Sequence, residues 1–315
     1  MRVLRQIAVF VAAGLLVLAG CKDKDVEEPE EVWCLDFPID NCSLPDNGDT
    51  LRVLAIGNSF TDDPTFYLGD IVEASGIDEK KLCVYVATVG GTDLDYWRSV
   101  YESGGRCRLR RVAGCDTVVV REGSLSEVVG QDWDVVVLQQ LSTKSGDYVT
   151  YNPSLRRLME KVRRDCPNDS VAFVWQETWS WWKDYGEEGP TEGGGAEDIA
   201  MAVCQMVENE GIDIVIPSGE AVQMAREAKI DTVKSMTIDG RHIGRGAGRY
   251  LLACTWYESL VAPVFGVSVL GNNQRTFNDT TITDEVALRC QKCAVEAVNR
   301  WGERKLVKRN KRKDN

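Results

Sequence analysis

LRVLAIGNSF, residues 51–60, is the stretch on which the fold turns. Seven mostly apolar residues run to Gly57 and then break into Asn58-Ser59-Phe60. An apolar run of that length, stopped by glycine, suits a parallel strand buried on both faces. The same character returns at Leu82–Thr88 (LCVYVAT), Asp134–Gln139 (DVVVLQ), Val171–Trp175 (VAFVW) and Ile212–Ile216 (IDIVI). Helical patterns fall between and after them, at Pro64–Ala74, Pro153–Arg164, Glu197–Glu210, Ser218–Ala228, Gly246–Val261 and Asp284–Trp301. Strands alternating with helices predict a three-layer α/β/α fold, with a flavodoxin-like, doubly wound sheet of five parallel strands. In such a sheet ligands bind beyond the C-terminal strand ends, which is where Ser59 falls. No internal repeat is visible.

Composition bounds the rest. The chain has 315 residues, 43% of them hydrophobic, enough for one sizeable core. Its net charge of −12 and pI of about 4.8 exclude a nucleic-acid-binding role, which needs a basic footprint. The Glu192-Gly193-Gly194-Gly195 stretch looks like a loop; it does not lead from a strand into a phosphate-binding motif, so no nucleotide site is expected.

The N-terminus has the pattern of an export signal. Arg2 and Arg5 precede an apolar run, Ile7–Leu18, too short for a comfortable bilayer span, which ends in Leu-Ala-Gly-Cys21. This resembles a bacterial lipoprotein signal, so residues 1–21 are expected to be a signal peptide with lipidation at Cys21. Residues 22–50, rich in Asp, Glu and Pro, read as an acidic tether. Residues 51–302 form the globular domain, and 303–315 a solvated basic tail. The expected location is the outer membrane, on its periplasmic face or at the cell surface, held only by lipid. Eleven cysteines less Cys21 leave ten, and an exported chain can form disulfides. Cys34 with Cys42, or Cys107 with Cys115, would each close a short loop; the connectivity stays open. Cys290-x-x-Cys293 lacks a second pair, and the chain has one histidine, so neither a zinc site nor any other metal or cofactor is expected. Asn41, Asn168 and Asn278 head glycosylation-type triplets that a bacterial signal makes incidental.

That one histidine, His242, lies in Asp239-Gly240-Arg241-His242. A serine hydroxyl is a weak nucleophile until a base takes its proton. Histidine suits the task at neutral pH when an acceptor orients its other nitrogen. Asp239, three residues earlier, can supply that acceptor.

GNSF after the first strand and DxxH before the closing helices resemble the SGNH (GDSL-type) hydrolases, over roughly residues 51–262. The resemblance implies a carboxylic ester hydrolase with Ser59, Asp239 and His242 as catalytic residues. It further implies an oxyanion hole from the backbone N–H of Ser59 and of Gly90, with Gly91 as the alternative. The family's first block usually carries aspartate where this chain has Asn58. Its third block supplies an asparagine that WDVVVLQQLS, residues 133–142, lacks. Gln140, or alternatively Gln139, is the expected replacement, since any correctly aimed donor serves. The usual proline after the histidine is Ile243 here.

Trp175-Gln-Glu-Thr-Trp179-Ser-Trp181-Trp182 sits at the end of the fourth strand. Flat aromatic faces there could stack on sugar rings, making Trp175, Trp179 and Trp181 candidate substrate-binding residues. The competing reading is that they fill the core or brace the loop. The expected partner is therefore an acylated glycan or another small ester. A non-catalytic glycan-binding lipoprotein on the same fold, or a lipase or thioesterase, are the alternatives.

Overall fold

The computed structural model describes residues 34–35, 50–114, 118–182, 193–212, 214–230, 236–303 and 306–307. Cys21, most of the tether and tail, Cys42, Cys115 and Glu192 lie outside them. Among the described residues Cys34–Leu35 pairs antiparallel with Leu306–Val307, and no helix is long and apolar enough to cross a membrane.

Six strands form the main sheet: β1 (Leu51–Gly57), β2 (Leu82–Thr88), β3 (Arg110–Gly114), β4 (Val135–Leu138), β5 (Ala172–Gln176) and β6 (Ile214–Ile216). Their order across the sheet is β3-β2-β1-β4-β5-β6. The five expected strands are parallel, in flavodoxin-like order. The sixth, β3, is an addition: it pairs antiparallel with β2 at the edge and carries an irregularity opposite Val84 and Tyr85.

Alternation along each strand divides the interior into two cores. Val53 and Ala55 of β1, with Val135 and Val137 of β4, face one side; Leu54, Ile56, Val136 and Leu138 face the other. The first core is covered by α1 (Ser59–Thr65), α2 (Leu68–Ala74), α7 (Ser218–Glu227), α8 (Ala247–Trp256) and α9 (Asp284–Glu303). The second is covered by α3 (Leu94–Glu102), α4 (Leu125–Val129), α5 (Ser154–Asp165) and α6 (Ala196–Glu210). The helix expected over Pro64–Ala74 is two helices, with Pro64 inside the first. The helix expected over Gly246–Val261 passes from α8 into a π turn at Tyr257–Val261.

Register places the site. Gly57 at the end of β1 pairs with Thr88 at the end of β2, so the chain following each strand emerges side by side. On the other flank β1 pairs with β4, bringing the residues after Leu138 to the same edge. The strand order reverses its direction of growth at β1, the usual position of a binding crevice.

Candidate active site

Asn58 builds the nucleophile turn. It is the N-cap of α1, its Oδ1 accepting the backbone N–H of Phe60 at 2.9 Å. Its Nδ2 donates to the carbonyl of Thr92 at 2.7 Å. An aspartate could not make the second bond, so the amide fastens the Ser59 turn to the Gly90–Thr92 loop. The Gly57 carbonyl adds to this junction, accepting from the indole of Trp97 at 3.1 Å and from the N–H of Val89 at 3.2 Å. Gly57 itself admits no side chain: a Cβ there would lie 2.1 Å from Thr61 Oγ1.

The acid–base loop is a tight reversal. Thr237 bridges Ile243, the N–H of Ile238 donates to the His242 carbonyl at 3.0 Å and that of Gly244 to the Met236 carbonyl at 2.7 Å. Gly240 turns the corner at φ +85°, a left-handed conformation that favours glycine. Asp239 Oδ1 accepts the N–H groups of Arg241 at 2.9 Å and His242 at 2.7 Å. Its Oδ2 lies 2.7 Å from His242 Nδ1. Burial pushes the Asp239 carboxyl up, but the imidazole and the two backbone donors outweigh it and hold the group below the usual carboxylate range.

The loop and the turn meet: Ser59 Oγ lies 3.1 Å from His242 Nε2. Ser59, Asp239 and His242 are all partly exposed at the C-terminal edge of the sheet. The array can therefore accept a molecule from solvent, with His242 Nδ1–H directed to Asp239 and Nε2 left to take the serine proton.

Gly90 and Gly91 are exposed beside Ser59's turn, with open space where a side chain would project. Gly91 has φ +71°; Gly90 is outside the left-handed region. The two glutamines of the third block part company. Gln140 is committed to structure: Nε2 donates to the Thr150 carbonyl at 2.9 Å, and Oε1 accepts the N–H of Leu141 at 2.8 Å and Leu94 at 3.3 Å. Gln139 is buried, neither atom of its amide has a hydrogen-bond partner among the described residues, and its side chain packs against Gly57.

The tryptophan segment requires a correction. Trp175 is 1% exposed and Trp179 is 0% exposed, so neither offers a face to a ligand. Trp175 stacks on Tyr151 at 4.8 Å in the second core. Trp179 stacks on Phe60 at 4.1 Å and donates its indole N–H to the Arg241 carbonyl at 2.7 Å. Of the three candidates only Trp181, beneath the Arg241 guanidinium at 4.8 Å, keeps partial exposure, as does its neighbour Trp182. The aromatic spacing in the sequence admitted both bracing and binding; burial decides for bracing at the first two.

Sequence reasoning also missed a buried carboxylate. Asp63 Oδ2 accepts the N–H of Ile243 at 3.1 Å, and Oδ1 pairs with Arg249 at 3.2 Å. Burial raises its pKa, against the pull of Arg249, the Ile243 N–H and His242. The second acid of Thr61-Asp62-Asp63 was its only signal.

Fold and site together define a three-layer α/β protein with a serine–histidine–aspartate array at the strand ends. The chain belongs to the DUF4886 family, described as a domain of unknown function, which its residues 52–297 match. It is similar to the crystal structure of a DUF4886 family protein from Bacteroides uniformis, with 26% identity and a TM-score of 0.65 over 80% of this chain and 95% of that one. More remote are a candidate GDSL-like lipase from Parabacteroides merdae (15% identity, TM-score 0.46, 67% and 96% covered) and a candidate SGNH hydrolase from Slackia heliotrinireducens (17%, 0.42, 67% and 99%). Comparison with curated proteins finds no match.

Proposed function

We propose that the chain is a serine esterase of the SGNH type, acting on small acyl groups carried by glycans. The observation that carries this reading is the continuous relay from Ser59 Oγ through His242 to Asp239, with contacts of 3.1 and 2.7 Å. His242 Nε2 takes the proton as Ser59 Oγ attacks the ester carbonyl. The carbonyl oxygen, now an oxyanion, is held by the N–H groups of Ser59 and Gly90. His242 protonates the departing alcohol, leaving an acyl-serine. Water, deprotonated by His242, then releases the acid and restores Ser59.

Neither glutamine is placed as a third donor: Gln140 Nε2 is committed to Thr150, and the Gln139 amide is buried out of reach of a molecule from solvent. Glycan specificity draws support from the partly exposed Trp181 and no longer from Trp175 or Trp179. That burial also removes the main support for a non-catalytic glycan binder. The resemblance of residues 1–21 to a lipoprotein signal ending at Cys21 favours an enzyme tethered at the outer membrane, working on polymers outside the cytoplasm.

The test is hydrolysis of 4-nitrophenyl acetate and of O-acetylated oligosaccharides by the purified protein beside Ser59→Ala. Release of acetate that Ser59→Ala loses supports the reading. A folded parent no faster than the variant on either substrate would overturn it.

A further inference from the structure

Asp239 fixes the orientation of His242 but not its place. Its hydrogen bonds to the imidazole and to the N–H groups of residues 241 and 242 lie within four residues of one loop. Aspartate and histidine can therefore shift together relative to Ser59 without breaking any of them. The imidazole is 35% exposed and is not enclosed by packing. Registration against the nucleophile must come from outside the loop.

The Trp182 backbone N–H holds the loop's corner at the Gly240 carbonyl, 2.7 Å away, and two buried side chains fix the residues on each side of His242. Trp179 holds the preceding residue through the 2.7 Å bond to the Arg241 carbonyl, while its ring lies flat on Phe60, the neighbour of Ser59. Asp63 holds the following residue through the 3.1 Å bond from the Ile243 N–H. Phe60 and Asp63 both belong to α1, which begins at Ser59. Gln176 ties α1 to the same framework, donating to the Phe60 carbonyl at 2.7 Å.

We propose that Trp179 and Asp63 are positioning residues, a two-point clamp on Arg241 and Ile243 that sets the Ser59–His242 distance. Its effect on rate rests on the esterase reading; its effect on geometry does not. A misplacement of about 1 Å in such an array costs on the order of a hundredfold in rate, so a clamp remote from the substrate can govern turnover.

His242 is the only histidine in the chain, so its ring protons are identifiable by NMR without substrate. They also sense the Phe60 ring, 5.8 Å away. The experiment compares the full chain with Trp179→Phe, which keeps an aromatic ring but removes the N–H, and with Asp63→Ala and Asp63→Asn. Two quantities are read: the His242 ring-proton shifts, and the rate at which diisopropyl fluorophosphate labels Ser59. Trp179→Phe and Asp63→Ala are expected to move the His242 signals beyond their linewidth and to slow labelling at least tenfold. Asp63→Asn, which restores an acceptor for the Ile243 N–H, is expected to recover most of that loss. Folded variants with wild-type His242 signals and labelling within twofold would overturn the clamp; if one variant fails to fold, the other decides. A wild type that resists labelling would count against the esterase reading, while the His242 signals still decide the clamp.

Discussion

Ser59 Oγ and His242 Nε2 lie 3.1 Å apart although 183 positions separate them in the chain. The contact joins the turn after the central strand to a loop that leads into α8. Removing either partner is expected to lower ester hydrolysis by about a thousandfold or more, with little change in melting temperature for Ser59→Ala. Initial rates with 4-nitrophenyl acetate, alongside thermal unfolding, check this.

Asp239 accepts three donors, and asparagine would leave one of its two acceptor sites as an amide. Asp239→Asn should therefore favour the wrong imidazole tautomer. A fall in turnover of roughly 10³–10⁴ is expected, by the logic of a triad aspartate. KM should stay near the parent value, and steady-state kinetics separate the two.

The two glutamines should differ in what they contribute to stability. Gln140→Leu strands the groups that Gln140 now satisfies, and is expected to cost about 1–3 kcal/mol of stability. Gln139→Leu removes an unpaired buried amide, so stability should hold or rise, and activity should stay near the parent value because the amide is out of the substrate's reach. Denaturant melts and kcat measurements on both variants check the assignment.

Glycine substitutions should distinguish support from access. Gly57→Ala drives a methyl into Thr61 and Gln139 and should destabilise the fold outright. At Gly90 the added methyl meets nothing, so Gly90→Ala should fold normally and lose activity by occupying space the substrate needs. Gly91→Ala is strained by its φ of +71° and should lose stability first. Thermal melts with parallel assays rank the three.

Acid stability should report on Asp165, remote from the site. The Arg164 guanidinium holds its carboxyl well below the usual range, helped by Ser126 and Tyr101 and opposed by burial. Because the native pKa is depressed, this carboxylate contributes stability above the unfolded value of about 3.9, and loses it as pH falls toward the native value. The melting-temperature gap between the parent and Asp165→Asn should be widest at pH 5 and above, and shrink toward pH 3.

The parallel sheet was legible because continuous apolar runs, as a strand buried on both faces requires, are written plainly in Leu51–Gly57 and Val135–Leu138, which face both cores. The edge strand Arg110–Gly114 escaped notice. It is half exposed, so its arginines need no burial and leave no apolar run. Helix α3 also escaped, although Leu94, Trp97 and Tyr101 share a face and Asp93 caps its start; it is short. At the site, Ser59, Asp239 and His242 could be named from residue type and order. The fates of Gln139 and Gln140 could not, because adjacent residues after a strand face opposite sides, and only the packing around them decides which amide finds partners. Trp179 and Asp63 bear on His242 through the backbone of its neighbours, a relation no residue pattern encodes.

The most direct measurement of the central claim needs no knowledge of the natural ester. The intact protein is treated with diisopropyl fluorophosphate and weighed by mass spectrometry, followed by peptide mapping. The account predicts a single adduct, on Ser59, that is lost in Ser59→Ala and forms at least a hundredfold more slowly in His242→Ala. No adduct on the folded protein, or equal labelling of parent and His242→Ala, would contradict it.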